Sequence, residues 1–294
     1  MLGHLKNRLW RLERLYRRRR PLSQAPDIKD KRFVFIGGLH RSGTSILHRL
    51  LCQHPEISGF HNTGVSEDEG QHLQSVFKTA HEYGGPGEFA LRQDAHLTEE
   101  SPLINQVNRD KLLREWGAYY DLQKTVLLEK SPPNLIKSRF LRKMFPGSRF
   151  VFIVRHPVAV SLATEKWSDK SINERLLHWH HAYSIMLDDI DARDDCLVIR
   201  YEDLVARPAA MLDEIVGLID IARFSPTETV KDYNHKYFLE WRRRYESRTS
   251  LLQATQLASN ALFEYFGYSL TAPYVDLSHA RQQPNRSNNN QGKS

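Results

Sequence analysis

The chain has 294 residues, 40% of them hydrophobic and 26% charged, with a formal net charge of +7. That composition supports a buried core and excludes global disorder, and no run of about 18 apolar residues marks a membrane-spanning helix. Two cysteines, Cys52 and Cys196, are too few for a disulfide framework or a cysteine zinc site. Apolar neighbours on each predict small core residues in a reducing, cytoplasmic setting.

The charge is uneven. Residues 1–32 hold eleven Lys and Arg against three acids, a net of +8, so the remaining 262 residues carry −1. A nucleic-acid-binding domain carries its cations on the folded body, so this balance argues against that role. Within the arm, Leu2, Leu5, Leu9, Leu12 and Tyr16 fall at helical spacing and form one apolar stripe among Arg and Lys. The run Arg17 to Arg20 leads to Pro21, which ends the helix. The arm lacks the apolar run of a secretory signal. Two readings stand: a helix packed on its own domain or a partner, or a helix lying through residues 1–20 on an anionic membrane surface. Ser23 to Lys31 reads as a linker, so residues 1–31 form an arm, 32–270 a domain, and 271–294 an Asn/Gln/Ser-rich tail expected to be disordered.

Past the linker, short apolar runs alternate with helical patterns. Phe33 to Ile36 is a buried strand ended by Gly37 and Gly38, and a helix is expected from Gly43 to Gln53. Gly59 to Gly87, rich in Gly, His and acids, reads as long loops with one short helix. A polar helix is predicted over Thr98–Tyr120, a strand over Thr125–Glu129, and a helix after Pro132-Pro133. A strand over Arg149–Val154 precedes helices over Val158–Trp167 and Ser171–Ile190. A fourth strand, Cys196–Arg200, precedes a helix over Pro208–Ile219, and helical signals return from Ser250 to Phe266. Strands separated by helices of ten or more residues imply right-handed βαβ units and a parallel sheet covered on both faces. Ligands of such sheets bind beyond the carboxyl ends of the strands, which points to Gly37–Ser45, Glu129–Pro133 and Arg155–Pro157.

The first of these segments, Gly38-Leu39-His40-Arg41-Ser42-Gly43-Thr44-Ser45, has the frame of a phosphate loop opening a helix. Backbone N–H groups and the positive end of the helix dipole make an anion cradle there. A nucleotide-hydrolysing loop needs Lys after the second glycine; this chain has Thr44 there and places its cation earlier, at Arg41. The fold class expected is α/β, a three-layer P-loop-like fold with a central parallel sheet flanked by helices.

These residues resemble a family. A strand running into Arg-Ser-Gly-Thr-Ser, then Leu50-Leu51 and His54-Pro55, is similar to the 5′-phosphosulfate loop of sulfotransferases, nearest the Golgi-type and bacterial branch that includes the tyrosylprotein sulfotransferases. Phe150 to Pro157 resembles the strand whose closing arginine, here Arg155, grips the donor's 3′-phosphate. Glu129-Lys130-Ser131-Pro132 resembles the element whose lysine faces the transferred group, and Arg200 to Leu204 the segment near the adenine, with Tyr201 in it. Four motifs in order over residues 32–266 carry the resemblance.

It implies a metal-free transfer of a sulfuryl group from 3′-phosphoadenosine 5′-phosphosulfate (PAPS) to an acceptor hydroxyl on a carbohydrate, lipid or peptide, leaving adenosine 3′,5′-bisphosphate (PAP). Arg41 and Lys130 would serve catalysis, and Arg41, Ser42, Gly43, Thr44, Ser45, Arg155 and Tyr201 would hold the donor. The family's serine eight residues past the 3′-phosphate arginine is replaced here by Ala163, leaving Ser161 or Thr164 as substitutes. The family's catalytic glutamate falls on Asn62 or Thr63, so His61, Glu67, Asp68 and Glu69 are the candidate bases. His178 and His181 share a helix face but have no carboxylate at ligand spacing, so no metal site is expected. Trp167, Trp179 and Trp241 read as core or pocket walls. Two rivals remain: an ATP/Mg-dependent kinase or nucleotidase, disfavoured by Thr44, and a non-catalytic nucleotide-binding protein recruited to membranes by the arm.

Overall fold

A computed structural model describes residues 18–191, 193–245 and 261–270. The expected helix of the arm, the helical signal from Ser250 to Asn260 and the polar tail lie outside the described residues. Strands β1 (Arg32–Gly37), β2 (Ile57–Gly59), β3 (Val126–Lys130), β4 (Arg149–Val154) and β5 (Cys196–Arg200) form one sheet in the order β2-β3-β1-β4-β5. Every pairing is parallel. The helices are α1 (Thr44–Leu51), α2 (Gln106–Gly117), α3 (Ser138–Met144), α4 (Pro157–Thr164), α5 (Ile172–Ile190), α6 (Tyr201–Ala206), α7 (Pro208–Ile219), α8 (Asn234–Tyr245) and α9 (Ala261–Tyr265).

The continuous apolar runs of the strands follow from burial on both faces. Phe33 and Phe35 of β1 and Phe150 and Phe152 of β4 point into a core shared with Trp116 of α2, Phe140 of α3, and Trp179 and Tyr183 of α5. Their neighbours Val34, Ile36, Val151 and Ile153 point the other way, against Leu47 and Leu50 of α1 and Leu204, Leu212 and Ile215 beyond β5. Side-chain alternation along the strands thus builds two cores from one sheet.

Several elements depart from the sequence reading. Strand β2 went unseen because three residues, Ile57–Gly59, carry no periodicity; they are placed by pairing with Val126–Leu128. Helix α2 starts at Gln106, not Thr98, because the Asn105 side chain accepts from Asn108 N at 2.9 Å and caps it there. The expected loops with one short helix hold 3₁₀ turns at Ser66–Asp68, Gly70–His72, Ala80–Tyr83, Phe89–Leu91 and Gln93–Ala95. A 3₁₀ turn, Pro132–Ile136, also precedes α3. Helix α6 directly after β5 was not anticipated.

The linker is docked. Leu22 N donates to Arg114 O at 2.9 Å, Arg19 Nη1 donates to Ala118 O at 3.0 Å, and Ala25 and Ile28 pack on the first core. A second correction concerns the thiols: both are half-buried at core edges, with polar neighbours. Cys52 Sγ lies 3.5 Å from His48 Nε2, and burial pushes the thiol up to about 12. Cys196 Sγ sits 3.1 Å from Asp195 Oδ1, and burial raises its pKa too.

Candidate functional site

Parallel pairing brings the three singled-out segments to one edge. The register Ile36↔Lys130 sets the end of β3 beside the loop that leaves β1. Val154↔Arg200 sets Arg155 beside Tyr201.

The loop is built on backbone geometry. Gly43, the residue before α1, has φ 107, a region open to glycine at little cost. A Cβ there would also lie 2.8 Å from Tyr201 Cδ2. Arg41 itself has φ 70, a conformation non-glycine residues keep only where surroundings enforce it. Ser42 is buried and its hydroxyl donates to Leu39 O at 2.6 Å. The loop is tied down from below: Leu39 N donates to Tyr183 Oη at 3.4 Å, and that hydroxyl donates to Ile153 O at 3.0 Å. Thr44 is buried as the first residue of α1. Arg41 is exposed, its guanidinium 5.0 Å over the Trp167 ring.

Lys130 is 0% exposed. Its ammonium donates to Glu67 O at 2.7 Å, Glu69 Oε1 at 3.3 Å and Ser45 Oγ at 3.4 Å. Ser45 in turn donates to Glu67 Oε2 at 3.0 Å. The chain segment Glu67–Glu69 therefore lies across Lys130 and the phosphate loop, with Glu67 and Asp68 at φ 52 and φ 50. The four candidate bases now differ. Asp68 accepts from Asn62 N, Thr63 N and Thr63 Oγ1 at 3.1, 2.8 and 2.6 Å, bonds that hold its carboxyl below the usual range against the opposing effect of burial. Glu69 is buried, which raises its pKa, while Lys130 and Gln71 hold its two oxygens. Glu67 is exposed. His61 is exposed, with Nδ1 at 3.4 Å from Gly59 O.

Glu129 organises this loop from beneath. It is 1% exposed and accepts from Ser131 Oγ at 2.6 Å and from Asn134 Nδ2. Ser131 Oγ accepts from Gln71 N at 2.9 Å, and a Cβ on Gly70 would fall 2.4 Å from Glu129 Oε1. Burial pushes Glu129 up to about 7. The sequence displays the residue but not this role, which depends on a loop nearly sixty positions away.

Arg155 is 5% exposed and held on three sides. Nε donates to Asn234 Oδ1 at 2.7 Å, Nη1 donates to Arg41 O at 2.9 Å, and the guanidinium stacks 4.2 Å over the Tyr201 ring. Asn234 donates to Glu202 at 2.7 Å, and Tyr201 Oη donates to Lys231 O at 2.7 Å. Glu202, which also accepts from His156 N and Tyr268 Oη, anchors this side and was missed as a positioning group. Arg155 Nη2 is buried with no partner. Ser161 and Thr164 are buried on α4 and line a cleft with His40, Arg175 and His178; Arg155 is outside that lining. Trp179 and Trp241 are core, whereas Trp167 is 47% exposed beside the loop. Among the described residues, no group of three or more His, Cys, Asp or Glu is placed to hold a metal ion.

A parallel sheet whose first strand opens an anion loop, with a buried lysine and a buried arginine at the ends of two neighbouring strands, defines a phosphate-loop-like protein lacking the nucleotide-hydrolysing lysine. A model of the sulfotransferase family matches residues 34–226, and the chain belongs to that family. It is similar to protein-tyrosine sulfotransferase A of Caenorhabditis elegans, 26% identical over 198 residues, 64% of this chain and 50% of that protein. It is also similar to the protein-tyrosine sulfotransferase of Drosophila melanogaster, 28% identical over 199 residues, 64% of this chain and 38% of that one. The chain thus spans half or less of the length of these relatives. In fold it matches the crystal structure of sulfotransferase STF9 from Mycobacterium avium, with TM-score 0.50 and 14% identity over 84% of this chain and 79% of that chain.

Proposed function

We propose that the protein transfers a sulfuryl group from PAPS to an acceptor hydroxyl. The observation that carries this reading is the convergence at Lys130: a fully buried ammonium within 3.4 Å of Ser45 on the anion loop and under two carboxylate residues. Attack on the sulfur of a phosphosulfate is an in-line transfer with charge spread over peripheral and leaving oxygens, by analogy with phosphoryl transfer. Catalysis then rests on positioning and on neutralising that charge.

The N–H groups of Gly43, Thr44 and Ser45 and the start of α1 form the cradle for the donor's 5′ side, and Arg41 and Lys130 supply positive charge. Arg155 fits the donor's 3′-phosphate, because its one uncommitted N–H group, at Nη2, is buried without a partner. Tyr201 and Asn234 fix its plane. Glu67 is the proton acceptor in this reading, since it is the exposed carboxylate on the loop at Ser45. Glu69 holds Lys130, and Asp68 holds the loop. Proton removal of this kind contributes about 10²–10⁴ in rate.

The test is a thermal shift of the full chain with PAP against ATP plus Mg²⁺, followed by transfer of labelled sulfate from PAPS. A ligand at a hundred times its dissociation constant stabilises by about 2.7 kcal/mol. Stabilisation by ATP–Mg²⁺ alone would replace the proposal with the kinase reading. Glu67→Gln is expected to keep PAP binding and lose turnover; full turnover in that variant removes Glu67 as the base.

A further inference from the structure

The cleft beside the phosphate loop holds four buried polar atoms with no partner: His40 Nδ1, Ser161 Oγ, Thr164 Oγ1 and Arg175 Nε. Buried polar groups in folded proteins are almost always hydrogen-bonded, so four orphans facing one space mark a place for a ligand oxygen. The other nitrogens of Arg175 are committed: Nη1 donates to Lys170 O at 2.6 Å and Nη2 to Glu165 Oε1 at 3.2 Å. The side chain is 4% exposed, and Ser161 and Thr164 are 1% and 3% exposed.

The three groups Ser161, Thr164 and Arg175 are donors, and a guanidinium N–H calls for an acceptor. Nearby charge is positive on balance. Arg175 and Arg244 share Glu165, and Lys170 pairs with Glu88, three cations against two carboxylates. Burial holds His40 and His178 down to about 3, so both imidazoles are neutral at physiological pH and leave that balance unchanged. His178 Nε2 accepts from Ala90 N at 3.2 Å, which fixes the far wall.

The cleft lies on the opposite flank of the loop from Arg155. Gly43 abuts Tyr201 and the Arg155 side, whereas Leu39 and His40 face the cleft. Arg41, the next residue, rests over Trp167, three positions beyond Thr164. A group seated in the cleft therefore sits next to the Arg41 side of the site without overlapping the arginine proposed for the donor's 3′-phosphate.

We propose that this cleft seats a carboxylate carried by the acceptor molecule, so that the preferred acceptors are hydroxy acids and not neutral alcohols or phenols. The proposal rests on the donor site described above. The carboxylate oxygens accept from Arg175 Nε and from the Ser161 and Thr164 hydroxyls, and the chain on which they stand carries the acceptor hydroxyl toward Lys130.

The experiment is isothermal titration of the full chain, saturated with PAP, with 4-hydroxyphenylacetate and 3-(4-hydroxyphenyl)propionate and with the methyl ester of each. At least one acid is expected to bind tenfold or more tightly than its ester. Thr164→Val and the double variant Ser161→Ala/Thr164→Val are expected to bring that ratio toward one while PAP affinity stays within about twofold. Equal affinity of acids and esters, absence of binding by both acids, or a ratio unmoved in the double variant makes the cleft a water site and overturns the proposal. Loss of PAP affinity in the double variant assigns the hydroxyls to the donor phosphate and also overturns it. Failure of the donor reading shows separately, as failure of the unaltered chain to bind PAP at all.

Discussion

Replacing Lys130 by Met separates its structural and its chemical parts. The Lys130–Glu69 pair stands at 3.3 Å with side chains 1% and 7% exposed. Removing one partner of such a pair leaves a buried, uncompensated charge and costs about 3–5 kcal/mol. Glu69 can limit that cost by taking up a proton. Its carboxyl is already raised by burial and rises further without the ammonium. The native state then binds more protons than the unfolded chain above the ordinary carboxylate pKa, so stability falls as pH rises, by at most about 1.4 kcal/mol per pH unit. In Lys130→Met the melting temperature is expected to drop little near pH 5 and by on the order of 10 °C at pH 8. The double variant Lys130→Met/Glu69→Gln removes the stranded charge and recovers most of that loss. Turnover does not recover: kcat stays down by about 10²–10³, the usual effect of deleting one group that stabilises transition-state charge. The measurements are melting curves over pH 5–8 and single-turnover sulfate transfer. A double variant with near-normal kcat, or a single variant whose stability loss does not grow with pH, refutes the assignment of Lys130 to both tasks.

Arg155→Met should weaken PAP binding by about tenfold to a hundredfold, the value of a charged hydrogen bond of about 1.5–3 kcal/mol, as read by titration calorimetry. Gly43→Ala combines φ 107 with a Cβ 2.8 Å from Tyr201; a loss of about 1–2 kcal/mol in urea unfolding and weaker PAP binding are expected. Glu129, held up to about 7 by burial, contributes stability that is full below its unfolded pKa and is lost as pH rises through about 7. Glu129→Gln should flatten that part of the stability profile, while Lys137, held down to about 7 by burial, acts in the opposite sense at higher pH. Deleting residues 1–17 should leave PAP binding and melting temperature unchanged and abolish co-sedimentation with anionic vesicles if the arm serves a membrane. Deleting residues 1–26 should lower the melting temperature, since Arg19 and Leu22 dock on the residues around Gly117.

The main strands, the phosphate loop and the cationic residues were legible because each is a local signal. An apolar run such as Arg149–Val154 encodes burial on both faces, two glycines encode a tight loop, and a cation at a strand end falls on the binding edge of any parallel sheet. The contributions of β2, Glu129, Glu202 and the Ser161–Arg175 cleft were not legible. Each depends on residues far apart in the chain meeting across the fold: Ile57–Gly59 on β3, Gln71 on Ser131, Asn234 on Arg155, His40 beside α4.

The same division runs through the four candidate bases. The sequence placed His61, Glu67, Asp68 and Glu69 within nine positions of one another and could not rank them, because a carboxylate is alike in every sequence context. Hydrogen bonding and burial make them unlike: Asp68 caps two amides, Glu69 meets Lys130, and Glu67 is left exposed at Ser45. Composition and order of motifs determined the class of fold and which edge of it binds an anion. Tertiary structure decided which member of each chemically equivalent set is buried, paired or open, because solvation and partners are properties of position in space and not of position in the chain.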